Sequence, residues 1–201
     1  MSTAEEIVTV AQEMIQKRGF HAFSYRDISE RVGIKTASIH YYFPSKGDLA
    51  GAIVARVSDG FAAALAEIDA ATTDPGERLR RFCGLFLSTY AEGDRLCPIC
   101  MLAMGQETVP EPVRAGVREF WLRGEEWVAE VLGAGVEAGC FNLKAPAQIG
   151  GRTFMAALEG AMVAARAFVD RERLTGVIDY LLATVIAEPC SRVALNNDRT
   201  A

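Results

Sequence analysis

The segment from Ser24 to Lys46, SYRDISERVGIKTASIHYYFPSK, restricts the possible fold more than any other part of this chain. Its hydroxyl residue Ser24 is typical of a helix N-cap, where the side chain accepts a hydrogen bond from a backbone N–H of the first turn. Ile28 and Val32 then lie four residues apart on one helix face. Gly33 supplies the positive φ that a helix-ending turn commonly requires. The pattern predicts two short helices joined by a tight turn.

The second of these helices carries polar and aromatic side chains where a core helix would carry Leu or Val. We expect Thr36 to cap it and only Ala37 and Ile39 to face inward. The positions left facing outward are Ser38, His40, Tyr41 and Tyr42. Hydroxyl and imidazole groups bond phosphates and base edges, so a helix of this kind is suited to a DNA groove. The segment is therefore predicted to be a DNA-binding helix-turn-helix.

These residues resemble the signature of the tetracycline-repressor (TetR) family of transcriptional regulators. The resemblance runs from about Ile7 to Val57 and rests on KRGF, ISERVGI and YYFPSK in that order. It implies an all-α fold of about nine helices, with a three-helix head and a C-terminal helical bundle. It also implies a homodimer formed by the last two helices, which are rich in small residues. The remainder of the chain matches the family only in length and helical character.

The resemblance also assigns roles in DNA binding. Ser38, Tyr41 and Tyr42 occupy positions of phosphate contacts, and Lys46 is the usual phosphate anchor at the start of the fourth helix. His40 stands where a Tyr often packs against a base or sugar. The full predicted set is Tyr25, Arg26, Lys35, Thr36, Ala37, Ser38, His40, Tyr41, Tyr42 and Lys46.

Two positions depart from the pattern of the family. Thr36 stands where many relatives carry a Lys directed at a guanine, which makes the operator sequence hard to infer. Ala37 replaces a frequent Gly, and its methyl group can touch the methyl group of a thymine.

Tyr25 and Arg26, at the start of the second helix, are expected to contact the DNA backbone.

The distribution of charge qualifies the expected mode of DNA binding. The formal net charge is −5. The first sixty residues carry seven Lys or Arg and seven Asp or Glu, so that part is neutral. All of the net negative charge therefore lies beyond residue 60. Few phosphates can then be neutralised, which predicts weak non-specific binding and docking by specific contacts.

Composition indicates where the protein works. No run of eighteen uncharged apolar residues occurs, and the N-terminus MSTAEEIVTV opens with acids, so we expect neither a membrane span nor a signal peptide. Five cysteines are an odd count, which fits thiols in a reducing compartment. We therefore expect a cytoplasmic protein.

Gly, Pro and other turn-forming residues divide the chain into nine predicted helices, and no strand is predicted. We predict a helix-turn-helix DNA-binding domain over residues 1–50, a ligand-binding and dimerisation domain over 51–190, and a flexible tail over 191–201. The sixth helix is expected to be short and to end near Glu107, and the last two helices to cover about 146–169 and 171–187.

The predicted C-terminal domain has an excess of aromatic and methionine side chains, which suits an adaptable apolar cavity. The same side chains, spaced along one face of a helix, also form ordinary hydrophobic cores. The resemblance implies effector binding between these helices. The predicted ligand-binding residues are Phe86, Tyr90, Met101, Met104, Phe120, Trp127, Phe154 and Leu158.

The pair Cys97 and Cys100 leaves alternatives open. Their spacing is that of a dithiol switch, and the start of a helix would lower the pKa of one thiol. Zinc needs about four ligands, and the other Cys and His residues are scattered, so we predict no metal and no cofactor. The prediction is a ligand-responsive repressor of a palindromic operator and not an enzyme. A thiol-sensing regulator or, less well supported, a thiol oxidoreductase are the alternatives.

Overall fold

The computed structural model describes residues 2–91, 95–105 and 109–187. Nine helices and no strand lie within these ranges, which confirms the predicted all-α class. The helices are α1 Thr3–Arg18, α2 Tyr25–Val32, α3 Thr36–Tyr42, α4 Lys46–Ala71, α5 Pro75–Ala91, α6 Pro98–Ala103, α7 Glu111–Glu137, α8 Ala147–Phe168 and α9 Glu172–Val185. The predicted end of the sixth helix near Glu107 and the predicted tail over 191–201 lie outside the described residues.

Three of these helices begin with the same local device. At the start of α2, the Ser24 backbone N–H donates to Asp27 Oδ2 (2.6 Å), and the Asp27 N–H donates to Ser24 Oγ (3.4 Å). The pairs Ser2–Glu5 and Ser45–Asp48 form the same reciprocal bonds at α1 and α4. Each box satisfies N–H groups that the helix leaves unpaired, so residues only three positions apart favour these starts.

The start of α3 differs from the prediction. Its N-cap is Lys35, with no side-chain capping bond, and Thr36 is the first helical residue. The Thr36 hydroxyl instead donates to Ser29 Oγ in α2 (3.2 Å). The prediction that Thr36 caps this helix is wrong, because its hydroxyl bonds the neighbouring helix across the turn. That turn contains Gly33, which adopts the left-handed conformation (φ 78°).

The chain divides into two compact units. The first comprises Met1–Ala64 and Ser88–Leu122, and the second comprises Leu65–Leu87 and Arg123–Ala201. Helices α4, α5 and α7 therefore contribute residues to both units. This division differs from the boundary at residue 50, which stays a prediction.

The first unit contains the helix-turn-helix head. Its centre is apolar, and the fully buried side chains there include Ile7, Ile15, Ile28, Ile39, Leu49 and Ile53. Residues from beyond the head pack onto α4 within this unit. A Cβ atom placed on Gly47 would lie 2.6 Å from Pro110 Cγ, and one on Gly116 would lie 2.7 Å from Val54 Cγ1. The beginning of α7 therefore approaches the first half of α4 closely.

The second unit has its own core, formed mainly by α5, α7, α8 and α9. Its fully buried side chains include Leu79, Phe82, Leu132, Phe154, Met155 and Leu174. A Cβ atom on Gly151 would lie 2.1 Å from the Glu125 carbonyl oxygen, so only Gly allows this approach of α8 to α7. Helices α8 and α9 pack against each other along the hairpin that they form.

Among the described residues, α4 alone is long and apolar enough to cross a membrane, with a mean hydropathy of 1.5 over its most apolar eighteen residues. Core helices of globular proteins meet the same criterion. The side chains of Leu49 and Ile53 are buried in the core of the first unit, and Leu65 and Ile68 are buried in the second.

Candidate DNA-binding surface

Helix α3 presents most of its side chains to solvent. Ile39 is its buried residue and fixes it to the core of the head. Tyr41 is 82% exposed and Tyr42 is 43% exposed, and their rings meet edge to face with centroids 5.2 Å apart. Aromatic rings that stay in water forgo the favourable free energy of burial. Their exposure therefore indicates a partner that covers them.

The predicted inward orientation of Ala37 is wrong, because Ala37 is exposed. Successive helical residues are about 100° apart, so a residue two positions before Ile39 lies on nearly the opposite face. Lys35 and His40 are also exposed, whereas Thr36 and Ser38 are half-buried. The outer face of α3 therefore combines a methyl group with polar and aromatic groups, as base-edge contacts require.

Arg26, on the first turn of α2, is directed to solvent. Its side chain is exposed, and its Nε lies 3.0 Å from Glu30 Oε1 on the same helix. An exposed pair four residues apart on a helix contributes only a few tenths of a kcal/mol. A DNA phosphate can therefore replace Glu30 as the partner of the guanidinium at little cost.

Tyr25 does not share this surface. It is 9% exposed, and its hydroxyl donates to the Phe43 carbonyl oxygen (2.8 Å). Its ring also meets the His40 ring edge to face, with centroids 4.7 Å apart. Burial raises the pKa of Tyr25 to about 12. These contacts make Tyr25 part of the head core that supports α3, and its expected contact with the DNA backbone stays a prediction from sequence.

His40 has one ring nitrogen engaged within the head. Its Nδ1 lies 3.3 Å from the Pro44 carbonyl oxygen, and its ring contacts Tyr25. The contact with Tyr25 orients the imidazole while the residue remains exposed. His40 therefore stays in the set of groups that can reach a base or sugar.

Lys46, which the resemblance assigns to a DNA phosphate, has internal partners in this structure. Its Nζ donates to the carbonyl oxygens of Phe20 and Phe23, both at 2.5 Å. The ammonium lies over the rings of the same two residues, 4.8 Å and 4.0 Å from their centroids. Burial lowers the pKa of Lys46. In this structure the ammonium is directed at the α1–α2 loop and not at the outer surface.

Comparison with known proteins agrees with the geometry of the head. The family described as bacterial regulatory proteins, tetR family, matches residues 7–53. The crystal structure of a TetR-family transcriptional regulator from Agrobacterium tumefaciens is 34% identical, with a TM-score of 0.88 over 92% of this chain and 97% of that one. This chain belongs to the TetR family of transcriptional regulators.

Two further relatives agree with this assignment. A TetR transcriptional regulator from Legionella pneumophila is 30% identical, with a TM-score of 0.83 over 92% of this chain and 98% of that one. The HTH-type transcriptional repressor KstR2 from Mycobacterium tuberculosis is 25% identical over 139 residues, which is 68% of each chain. The resemblance inferred from the motif is confirmed, and the chain is a DNA-binding transcriptional regulator.

The TetR-family effector residues predicted from sequence fall into both compact units. Tyr90 and Phe120 are buried in the first unit, where Met101 is half-buried and Met104 is exposed. The residues in the second unit are Phe86, Trp127, Phe154 and Leu158, and all four are buried there. The exposure of Met104 separates it from the buried members of the set.

Trp127 has contacts that sequence reasoning missed. Its indole N–H lies 3.1 Å from both carboxylate oxygens of Asp69, which also pairs with Arg78. Its ring stacks on Phe82, with centroids 5.2 Å apart and planes 18° apart, and Phe82 in turn contacts Phe86. A carboxylate beside a buried Trp gives this aromatic cluster one strongly polar edge.

The two cysteines of the predicted switch lie at the start of α6. Cys97 is buried at the N-cap and Cys100 is half-buried, and both are thiols in this structure. Within the ranges that the structure describes, no group of three His, Cys, Asp or Glu side chains could hold a metal ion. The relatives favour a transcriptional regulator over a thiol oxidoreductase, and their descriptions lend no support to the thiol-sensing alternative.

Proposed function

We propose that this TetR-family regulator is a repressor that binds a palindromic operator as a homodimer and is released by a small apolar effector. The observation that carries the proposal is the exposed, aromatic and polar face of α3 on a closed apolar head. The description of the relative KstR2 as a transcriptional repressor supports repression as the direction of control.

The contacts with DNA divide by chemistry. Ser38, Tyr41 and Tyr42 are assigned to phosphate oxygens, because their hydroxyl groups donate without carrying sequence information. Arg26 and Lys35 add positive charge at the edges of this surface.

The base sequence of the operator is proposed to be read by the remaining exposed side chains of α3. Ala37 offers a methyl group and His40 a polar ring to base edges in the major groove. Thr36 is half-buried, with its hydroxyl bonded to Ser29, so it supports this face and exposes only part of its side chain.

Dimerisation through α8 and α9 is supported by an exposed face in the second unit. Ile149, Gly160 and Val163 of α8 are exposed, and their spacing places them along one side of the helix. Gly176 and Tyr180 of α9 are exposed as well. Small residues allow close helix approach, and a two-fold axis would cover this face with its own copy. Two heads related by that axis would enter successive major grooves of a palindrome.

The effector is proposed to bind in the second unit, among Phe86, Trp127, Phe154 and Leu158. These side chains are apolar or aromatic, which favours a mainly apolar ligand with an aromatic group. Tyr90, Met101, Met104 and Phe120 belong to the other unit and remain a prediction from sequence. The effector must bind the DNA-free state more tightly than the DNA-bound state, by as much as operator affinity falls. Helix α4 has residues in both units, so it is the proposed route of this coupling.

The test is a footprint on the DNA upstream of the protein's own gene, followed by a screen for compounds that abolish it. We expect a protected palindrome whose half-sites are about one helical turn apart. Protection of a single half-site, or the absence of any protected sequence among the promoters tested, would contradict the proposal. An effector that strengthens protection would contradict release as the response.

A further inference from the structure

Lys46 occupies a site built entirely from the protein's own groups. Its ammonium has two carbonyl acceptors at 2.5 Å, from Phe20 and Phe23. The rings of the same residues, which are buried, lie beneath it at 4.8 Å and 4.0 Å. Both residues belong to the loop between α1 and α2, whereas Lys46 is the first residue of α4. One side chain thus joins the start of α4 to a loop more than twenty residues earlier.

The backbone around Lys46 is held from both sides. Ser45 and Asp48 form the reciprocal bonds that start α4, so the first turn cannot rotate without losing them. Gly47 lies against Pro110, where even a Cβ atom would be 2.6 Å from Pro110 Cγ. To reach a DNA phosphate, the ammonium would have to leave two carbonyls and two aromatic faces. Carbonyls left without a partner in a half-buried site are unfavourable.

The loop that Lys46 holds leads directly into the DNA-binding helices. Phe23 is followed by Ser24, the N-cap of α2, and then by Arg26 on its first turn. Helix α2 in turn bonds α3 through Ser29 and Thr36. The position of the loop therefore sets the position of α2, and α2 sets that of the recognition helix.

We propose that Lys46 is a positioning residue, which fixes the α1–α2 loop to the start of α4 and makes no contact with a DNA phosphate. This inference deepens the proposed function and depends on it wherever operator DNA is used. It predicts that removing the ammonium displaces the groups that touch DNA while the number of neutralised phosphates stays the same.

The first test measures the acylation rate of each lysine by an amine-reactive ester, with mass spectrometry, in the free protein and with operator. The chain has four lysines, at positions 17, 35, 46 and 144, so the peptides are easily separated. Lys46 should react several-fold more slowly than exposed Lys35 in the free protein, and its rate should not change with operator. Lys35 should become protected only when operator is present. A Lys46 that reacts as fast as Lys35 and becomes protected by DNA would overturn the inference.

The second test compares Lys46→Met with Lys35→Met as the matched control. In the proposed dimer each substitution occurs twice, so the loss of a phosphate contact would reduce the slope of log K against log salt by about 1.8. We expect that reduction for Lys35→Met. For Lys46→Met we expect an unchanged slope and about a tenfold loss of affinity at every salt concentration. Lys46→Arg, which keeps donors for both carbonyls, should restore affinity to within about threefold.

Each other outcome has a defined meaning. A shallower slope for Lys46→Met would show a phosphate contact and refute the inference. An unchanged affinity with a lower melting temperature would show a purely structural role, which also refutes it. If Lys46→Met does not fold, the acylation rates of the wild-type protein with and without operator still decide. If the wild-type protein binds no DNA, the proposed function fails, but the free-protein acylation rates still test where the ammonium lies.

Discussion

The proposed dimer makes a prediction that a single glycine can test. A Cβ atom added to Gly160 on α8 would meet nothing within 4 Å in the protomer, so a larger residue there does not disturb the fold of one chain. In a dimer that pairs α8 and α9 with their copies, the same residue would stand between helices in close contact. We therefore expect Gly160→Trp to fold normally and to associate weakly.

The expected loss of dimer affinity can be worked out from the apolar side chains that the dimer would bury. Ile149 and Val163, on the same side of α8, are 45% and 37% exposed. Full burial of such a side chain is worth about 1.5–3 kcal/mol, so covering the exposed parts contributes roughly 2 kcal/mol per protomer and roughly 4 kcal/mol for a symmetric pair. If the indole removes between half and all of this, the Kd for association rises roughly 30- to 700-fold.

Sedimentation across a range of protein concentrations measures this Kd, and circular dichroism checks the fold. Gly133→Trp is the matched control, because Gly133 lies on helix α7 and a Cβ atom there also meets nothing within 4 Å. Ala164→Arg, which places a charge on α8, should weaken association as Gly160→Trp does. Association of Gly160→Trp equal to that of wild type, or a wild-type protein that is a monomer at micromolar concentration, would refute the proposed interface.

Four other variants test the remaining assignments. Ser38→Ala and Tyr42→Phe should each weaken operator binding by about 1 kcal/mol, roughly fivefold, and equally across operator variants, because they remove phosphate contacts; fluorescence anisotropy at fixed salt measures this, and a loss confined to one base position would argue against it. Tyr25→Phe should lower the free energy of unfolding by about 1 kcal/mol in urea denaturation below pH 10, because a half-buried hydrogen bond is lost. Since burial raises the pKa of Tyr25 to about 12 in the folded protein, the wild-type advantage should disappear as the pH rises from about 10 to 12, and a wild-type protein that is still the more stable one above pH 12 would contradict this assignment. Phe86→Leu should raise the effector concentration for half-release several-fold without changing operator binding in its absence, and Trp127 fluorescence should change when the effector binds to the wild-type protein; an effector bound elsewhere would leave both unchanged.

The sequence was most informative where the structure depends on near neighbours. The boxes at Ser24 and Ser45 and the turn at Gly33 involve residues only a few positions apart, and the head forms as they predict. The family motif adds the order of these elements. The all-α class and the start of each head helix were therefore predictable to within a few residues.

The internal partners of Tyr25 and Lys46 were not predictable from the motif, because they are distant in sequence. The Tyr25 hydroxyl bonds a carbonyl eighteen residues later, and the Lys46 ammonium bonds carbonyls 23 and 26 residues earlier. A hydroxyl or an ammonium in a DNA-binding motif can serve the protein core as well as a phosphate. Only the tertiary structure distinguishes the two, since exposure and hydrogen-bond partners decide which atoms are available.

The candidate effector residues show a similar limit. Aromatic spacing along α5 and α7 selects buried residues correctly at Phe86 and Trp127 but cannot reveal that Asp69 accepts the bond of the indole. Asp69 lies 58 residues before Trp127 and is polar, so no apolar pattern includes it.

The internal position of Lys46 changes how operator binding must work. Arg26 pairs with Glu30 at 3.0 Å and Arg31 pairs with Glu13 at 2.5 Å, so two more cations of the head already have acidic partners. A phosphate that takes Arg26 from Glu30 replaces one anion by another, and the net gain in free energy is smaller than for an unpaired cation. If Lys46 contacts no phosphate, one phosphate fewer is neutralised in each half-site, so fewer counterions are released from DNA and salt weakens binding less steeply. In the proposed binding mode, more of the affinity comes from hydroxyl contacts and from base contacts by α3, which depend on the exact position of that helix. For this reason we expect a residue that positions α3 to affect operator binding as strongly as one that touches DNA.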